Sequence, residues 1–151
     1  MTKKITGAGV LLVAPKGPWG FTSALLLRRS AHMRNHPRAW NLPGGRRDDG
    51  ERPVVTALRE AFEEAGYSPE EHGGAPLGSL RVCRPRGCYR IFVFRVSRPF
   101  VPRLNEESDA SVWIRLRDIE RAEGLHPTLG KVVWPAVIAD IETKLRAASE
   151  V

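Results

Sequence analysis

Residues 45–67, reading GRRDDGERPVVTALREAFEEAGY, constrain this chain more than any other stretch. Pro53 suits a first helical position, where the N–H it lacks would go unbonded in any case. Val54, Leu58, Ala61, Phe62 and Ala65 then recur at helical spacing, which predicts a helix over residues 54–65 with these five as one buried stripe. The same winding sets Glu60, Glu63 and Glu64 at i, i+3 and i+4, three carboxylates on the solvent side within one turn. Like charges at this spacing cost a few tenths of a kcal/mol per pair, and only Arg59, four residues before Glu63, compensates locally. A cation is the natural complement. Hard divalent ions bind through oxygen, and Mg²⁺ in particular is held by a few carboxylates together with substrate phosphates. A bare E-x-x-E-E run is more often a solvated acidic face, so the residues around this one must decide.

Those residues are Gly45, Glu51, Arg59 and Gly66, with Ala61 and Tyr67 in apolar slots. Together with the three glutamates the spacing resembles the box of the Nudix hydrolases, G-x5-E-x7-R-E-U-x-E-E-x-G-U, where U is apolar, and no fixed position is missing. Seven fixed types, each used at roughly 5–10%, make a chance match on the order of one in ten million per window. The resemblance implies a loop-helix-loop in which Glu60, Glu63 and Glu64 hold a divalent cation, Mg²⁺ or alternatively Mn²⁺. It also implies that the carbonyl of Gly44, in the Trp40-Asn41-Leu42-Pro43-Gly44-Gly45 corner, joins the cation. Glu51 is implied to pair with Arg59 and brace the loop against the helix, which makes both supports that fix ligand orientation. Gly44 and Gly45 read equally as a plain turn, and both readings can hold.

The similarity runs on, more loosely, through Asn105-Glu106-Glu107-Ser108-Asp109 ahead of Trp113-Ile114, then Leu125-His126-Pro127 and Trp134-Pro135. It resembles small bacterial members over nearly the whole chain. Many members place a further acidic residue before this tryptophan-bearing strand, as metal ligand or base; Glu107 is the first choice here and Glu106 the next. The cluster also reads as a polar loop. His126, beside a proline and far from any nucleophile partner, reads as a cap or loop residue.

Apolar runs predict strands over residues 6–13, 22–28, 79–83, 89–96 and 111–114, and a second helix over 135–147. Trp134, Ile138, Ile141 and Leu145 repeat at i, i+4, i+7 and i+11, a stripe suited to covering one sheet face while the box helix covers the other. The expectation is an α/β/α sandwich with a mixed sheet, the fold the resemblance also implies. The 151 residues fall within the range of one domain, with no internal repeat, and the Pro/Gly clusters at 15–20 and 72–78 read as loops. Met1 to Lys4 before the apolar run mimic a secretory leader, but the run is short and glycine-interrupted, so a strand and a cytoplasmic setting are expected. No segment is long enough to span a bilayer. Cys83 and Cys88 flank a Pro85-Arg86-Gly87 turn that hairpin pairing would close; without a secretion signal the expectation is reduced thiols, and a lone C-x4-C pair is a weak zinc signal.

A net charge of +7 favours polyanionic partners. Guanidinium forks bind phosphate oxygens two at a time, so Arg28, Arg29, Arg34, Arg46 and Arg47 are candidate diphosphate clamps, each alternatively a solvated surface charge. No familiar nucleic-acid motif is present and aromatics are too sparse for a stacking platform. Trp19, Phe21 and Trp40 either stack on a base or pack in the protein. The resemblance implies hydrolysis of a nucleoside diphosphate linked to a group X. The leading substrate is a nucleoside triphosphate, ordinary or oxidised, yielding the monophosphate and pyrophosphate. Arg29-Ser30, His36-Pro37 and Pro43-Gly44-Gly45 also look like the lead-in of coenzyme A pyrophosphatases, from which Trp40 and Leu42 depart. Coenzyme A, ADP-ribose, nucleotide sugars, dinucleoside polyphosphates and capped or triphosphorylated RNA stay as alternatives. Glu60 is assigned as general base, with Glu107 and cation-activated water as the other choices. An alternative of another class is a Nudix-like domain that senses a nucleotide without turnover, and a homodimer is left open.

Overall fold

The computed structural model of the chain describes residues 3–17 and 20–149. The apolar run after Lys4 extends as β1 (Ile5–Ala14), and the leucine-rich run after Thr22 as β2 (Ser23–Arg29). Two short strands follow, β3 (Trp40–Asn41) and β4 (Gly44–Arg46), then α1 (Pro53–Ala65) and α2 (Pro69–His72). A hairpin of β5 (Ala75–Arg84) and β6 (Gly87–Arg95) leads to β7 (Ser108–Arg115), a 3-10 turn over Leu116–Arg121, α3 (Pro127–Gly130) and α4 (Trp134–Ser149). The sheet order is β3-β2-β1-β6-β5, with β4 paired to β1 and β7 to β2. β1 and β6 run parallel and the other pairs antiparallel, so the sheet is mixed as expected.

Alternation along the central strands builds two cores. On one face Leu11, Val13, Leu26, Ile91 and Val93 pack with Trp134, Ile138, Ile141 and Leu145 of α4. On the other, Val10, Leu12, Leu25 and Leu27 pack with Ala57, Ala61 and Ala65 of α1. The helix stripe read from the last helix is therefore buried as expected. Ile141→Ala is expected to lower stability by about 3 kcal/mol and the melting temperature by roughly 6–12 °C; a thermal melt shifted by less than about 2 °C would contradict the packing of α4.

The stripe of α1 needs correction. Phe62 is 56% exposed, and the buried positions are Thr56, Ala57, Ala61, Glu64 and Ala65. The helix is rolled so that Glu64 turns inward, and Phe62, two residues earlier and so about 200° away on the helix, turns out. Small residues on the inner face let α1 lie close over β1. Further differences are of extent: the Pro-Gly-Gly corner carries β3 and β4, β5 begins at Ala75 inside the expected loop, and β7 begins at Ser108.

The expectation of reduced cysteines is overturned. Cys83 and Cys88 face each other across the two-residue turn of the β5–β6 hairpin, Cα atoms 4.0 Å apart, and are joined in a disulfide. The cytoplasmic expectation leans in part on free thiols and loses that support. Among the described residues no helix is long and apolar enough to cross a membrane. The first two residues of the leader-like stretch lie outside the described residues.

The edge of β1 facing β2 is split. Val13 and Ala14 pair with Ala24 and Ser23 of β2, whereas Gly7, Ala8 and Gly9 pair with β4. β2 meanwhile pairs its far end with β3. Segment 40–46 thus enters between the parting strands, and there the acidic residues gather.

Candidate active site

Pro53 opens α1 at its first turn, and Gly66 ends it at φ 69°, a left-handed conformation that glycine adopts without a Cβ penalty. Between them Arg59 organises the loop. Its Nε donates to Glu51 Oε2 at 2.8 Å and its Nη2 to Glu51 Oε1 at 3.0 Å, a bidentate pair. Nη1 donates to Glu60 Oε1 at 2.9 Å and lies 3.6 Å from Glu63. Thr56 Oγ1 also donates to Glu51, at 2.7 Å. The bonds from Arg59 and then Thr56 hold the Glu51 carboxyl down to about 2, and Arg59 is raised in turn. The brace read from the sequence is present.

Glu60 is half-buried against Gly45, where a methyl group would stand 2.6 Å from the carboxylate carbon. Burial pushes its carboxyl above the usual range, against the pull of Arg59. Glu64 is buried, and its Oε1 accepts from the Gly44 N–H at 3.1 Å. Loss of water pushes it up to about 9; the Gly44 bond opposes this, and the charges of Glu60 and Glu107 add to it. The solvent-side placement expected of Glu64 is therefore corrected: it points in, toward the glycine corner.

Glu107 comes from the loop before β7. Its N–H donates to Asn105 Oδ1 at 3.0 Å, and Asn105 Nδ2 donates to the Glu63 carbonyl at 3.1 Å, so one amide ties this loop to α1. Ser30 N–H donates to the Glu107 carbonyl at 2.8 Å. Carboxylate oxygens of Glu60, Glu64 and Glu107 consequently lie within 4.8 Å of one another. Glu63 is more exposed and stands outside that group, beside Arg59; Glu106 is exposed.

A crevice of about 20 Å³ opens here, lined by Leu27, Arg29, Asn41, Leu42, Gly44, Glu64, Glu107 and Ser108. That is room for about one water-sized particle. Glu64 and Glu107 at this space and Glu60 within 4.8 Å of both, with Glu64 lacking any cationic partner in bonding distance among the described residues, fit a divalent ion of the Mg²⁺ or Mn²⁺ kind.

The buried carboxyl gives the site a pH dependence. Without a cation, Glu64 keeps its proton until about 9 in the fold and loses it near 4.5 when unfolded. Its contribution to stability is then full below 4.5 and is lost as pH rises toward 9. A cation must displace that proton, so Mg²⁺ affinity by calorimetry is expected to rise about tenfold per pH unit between pH 6 and 8. A flat affinity over that interval would contradict this.

Of the candidate clamps, only Arg29 lines the crevice. Arg28 is bound to Asp109 at 2.7 Å and lies over the Trp40 ring, and Arg47 donates to the carbonyls of Ile5 and Glu51. Arg46 and Arg34 are exposed. Trp40 packs against the core on the α4 side, Phe21 lies under Arg115 away from the crevice, and Trp19 lies outside the described residues. His126 caps α3, its Nδ1 accepting from Thr128 N–H at 3.1 Å; burial, then the charges of His36, Arg29 and Arg84, lower its pKa to about 4.

Sequence reasoning passed over Asn105 and Tyr89. The Tyr89 ring lies over β1, and its hydroxyl fills the space that side chains at Gly9 and Gly44 would take. Burial and then the charges of Glu64 and Glu60 raise its pKa. The signal that points to it is the pair Gly7 and Gly9 inside an apolar strand, since glycine there marks close approach of another group.

The family profile described as NUDIX domain matches residues 3–133. The chain is 29% identical over 141 residues to a nucleoside triphosphate pyrophosphatase/Nudix hydrolase fusion protein of Bifidobacterium longum, covering 90% of this chain and 28% of that one. It is 32% identical over 108 residues to an 8-oxo-(d)GTP phosphatase of Mycolicibacterium smegmatis, covering 70% and 32%. The chain thus spans about a third or less of the length of these relatives. Among solved structures, the Nudix hydrolase RenU of M. smegmatis superposes with a TM-score of 0.76 at 27% identity, covering 93% of this chain and 87% of that one.

Proposed function

The chain belongs to the Nudix family, and on that premise we propose that it hydrolyses, with a divalent cation, the diphosphate of a nucleoside diphosphate linked to a group X. The preferred substrate is a nucleoside triphosphate, ordinary or oxidised, with the monophosphate and pyrophosphate as products. The observation that carries this reading is the convergence of Glu60, Glu64 and Glu107 within 4.8 Å, from two elements tied together by Asn105. The name of one relative, an 8-oxo-(d)GTP phosphatase, favours the triphosphate.

Glu60, Glu64 and Glu107, with the Gly44 carbonyl, would hold the ion; Glu63 stands at the rim. A bound Mg²⁺ or Mn²⁺ supplies neutralisation of phosphate oxygens and acidification of water. The protein's own part is positioning. Arg59 fixes Glu60 and Glu51 at once, the Gly44 N–H fixes Glu64, and Asn105 fixes Glu107. Glu60, at the head of the cluster and fixed by Arg59, is the residue assigned to take the proton of the attacking water. Arg29, at the crevice, holds a phosphate oxygen. All 151 residues serve as one domain.

A product-resolved screen over nucleoside triphosphates, ADP-ribose, coenzyme A, nucleotide sugars and dinucleoside polyphosphates tests the proposal. Turnover of a triphosphate to monophosphate and pyrophosphate, abolished by chelator, is the expected result. Release of inorganic phosphate in place of pyrophosphate, or no turnover at all, would overturn it.

A further inference from the structure

A second and larger pocket, about 510 Å³, is lined in part by Tyr89, whose hydroxyl meets Gly44 of the acidic crevice, and none of its lining residues would hold the ion. Thr6, Arg84, Arg86 and Thr128 supply its polar side chains, and no carboxylate lines it. Tyr89 is the residue the two spaces have in common. Its ring lines the pocket, while its hydroxyl reaches the glycine corner whose Gly44 N–H holds Glu64. His126 stands beside the pocket, its Nδ1 accepting from the N–H of Thr128.

The donors are arranged for an anion. Arg84 is half-buried and donates Nη1 to Thr128 Oγ1 at 3.3 Å, which holds its guanidinium at the pocket wall. Arg86 sits on the two-residue turn of the β5–β6 hairpin and makes no ion pair or hydrogen bond among the described residues. The Cys83–Cys88 disulfide closes the strand ends that carry the turn with both arginines. Two guanidinium forks with hydroxyl groups and no opposing carboxylate match the oxygens of a phosphate.

We propose that this pocket receives the third phosphate of the substrate, the one beyond the diphosphate that is cleaved, with Arg84 and Arg86 as its donors. The proposal rests on the hydrolase reading and sharpens it. Substrates with a third phosphate, such as nucleoside triphosphates and dinucleoside polyphosphates, use the pocket; ADP-ribose and nucleotide sugars, whose linkage ends in a neutral group, leave it unfilled.

Two measurements decide. Calorimetry with inorganic pyrophosphate, in chelator, is expected to show binding that weakens about tenfold in Arg86→Ala and about a hundredfold in the Arg84→Ala/Arg86→Ala double variant, with exposed Arg146→Ala unchanged. Equal binding by all four proteins overturns the assignment. In turnover, the double variant is expected to lose about a hundredfold in kcat/KM for a triphosphate, chiefly through KM, and less than about threefold for ADP-ribose. Equal losses on both substrates, or pyrophosphate inhibition that is not competitive with the triphosphate, also overturn it. Arg86 is exposed, and Arg84→Lys keeps the charge, so these single variants separate anion binding from folding. Should no substrate be turned over, the hydrolase reading fails while pyrophosphate binding still decides the arginines.

Discussion

Glu64→Gln is expected to lower kcat/KM about a thousandfold, the kinetic equivalent of the several kcal/mol that a metal ion contributes to such a reaction, while the melting temperature stays level or rises. The two halves of that result have one cause. Burial keeps the Glu64 carboxyl protonated at neutral pH when no cation is present, so the neutral amide replaces a neutral acid of the same shape. The amide oxygen still accepts from the Gly44 N–H, and the fold loses nothing. What disappears is the negative charge that a cation would draw out of the buried acid. Steady-state kinetics beside a thermal melt make the comparison, and a folded variant retaining more than about a tenth of the activity would remove Glu64 from the site.

Gly44→Ala should damage fold and activity together. Its methyl group would stand 2.6 Å from the Gly9 Cα and 2.7 Å from the Ala8 carbonyl oxygen, both backbone of β1, besides overlapping the Tyr89 hydroxyl. Backbone in a paired strand has little room to yield, since Gly44 and Gly9 are direct partners in the β1–β4 ladder. Overpacking of this kind costs up to about 3 kcal/mol, or roughly 6–12 °C in melting temperature for a chain of this size. The Gly44 N–H that orients Glu64 moves with it, and about a hundredfold of activity is expected to go, as when a ligand's outer support is lost. Because two of the three clashes are with backbone, adding Tyr89→Phe should not restore the melt. A Gly44→Ala protein melting within about 2 °C of wild type would show that β4 does not press on β1.

The helix of the box and its loop brace were legible because they are local. Pro53, Arg59 and the glutamates lie within a few turns of one another, and Glu51 reaches Arg59 across eight residues. The α4 stripe was legible for the same reason, as one periodic face repeated over three turns. The roll of α1 was not. Periodicity marks Phe62 as core and Glu64 as surface, and only the tertiary contact with Gly44 reverses them. Glu107 was named from resemblance, but its approach to Glu60 and Glu64 depends on Asn105, whose two bonds span the loop and the helix. Strands of two and three residues, like β3 and β4, have no period to read. The disulfide depends on Cys83 and Cys88 facing each other in the hairpin, a register that spacing suggests without deciding oxidation. Tyr89 stands alone in sequence, and its partners are glycines far up the chain.

The proposed reaction needs Glu60, Glu64 and Glu107 to hold the divalent ion at which the phosphate linkage is broken. A crystal soaked in Mn²⁺ and measured for anomalous scattering tests it most directly. The expected result is a peak between these three carboxylates, beside the Gly44 carbonyl, that vanishes in Glu64→Gln crystals. A Mn²⁺ peak elsewhere on the molecule, or one at this place that survives the substitution unchanged, would contradict it.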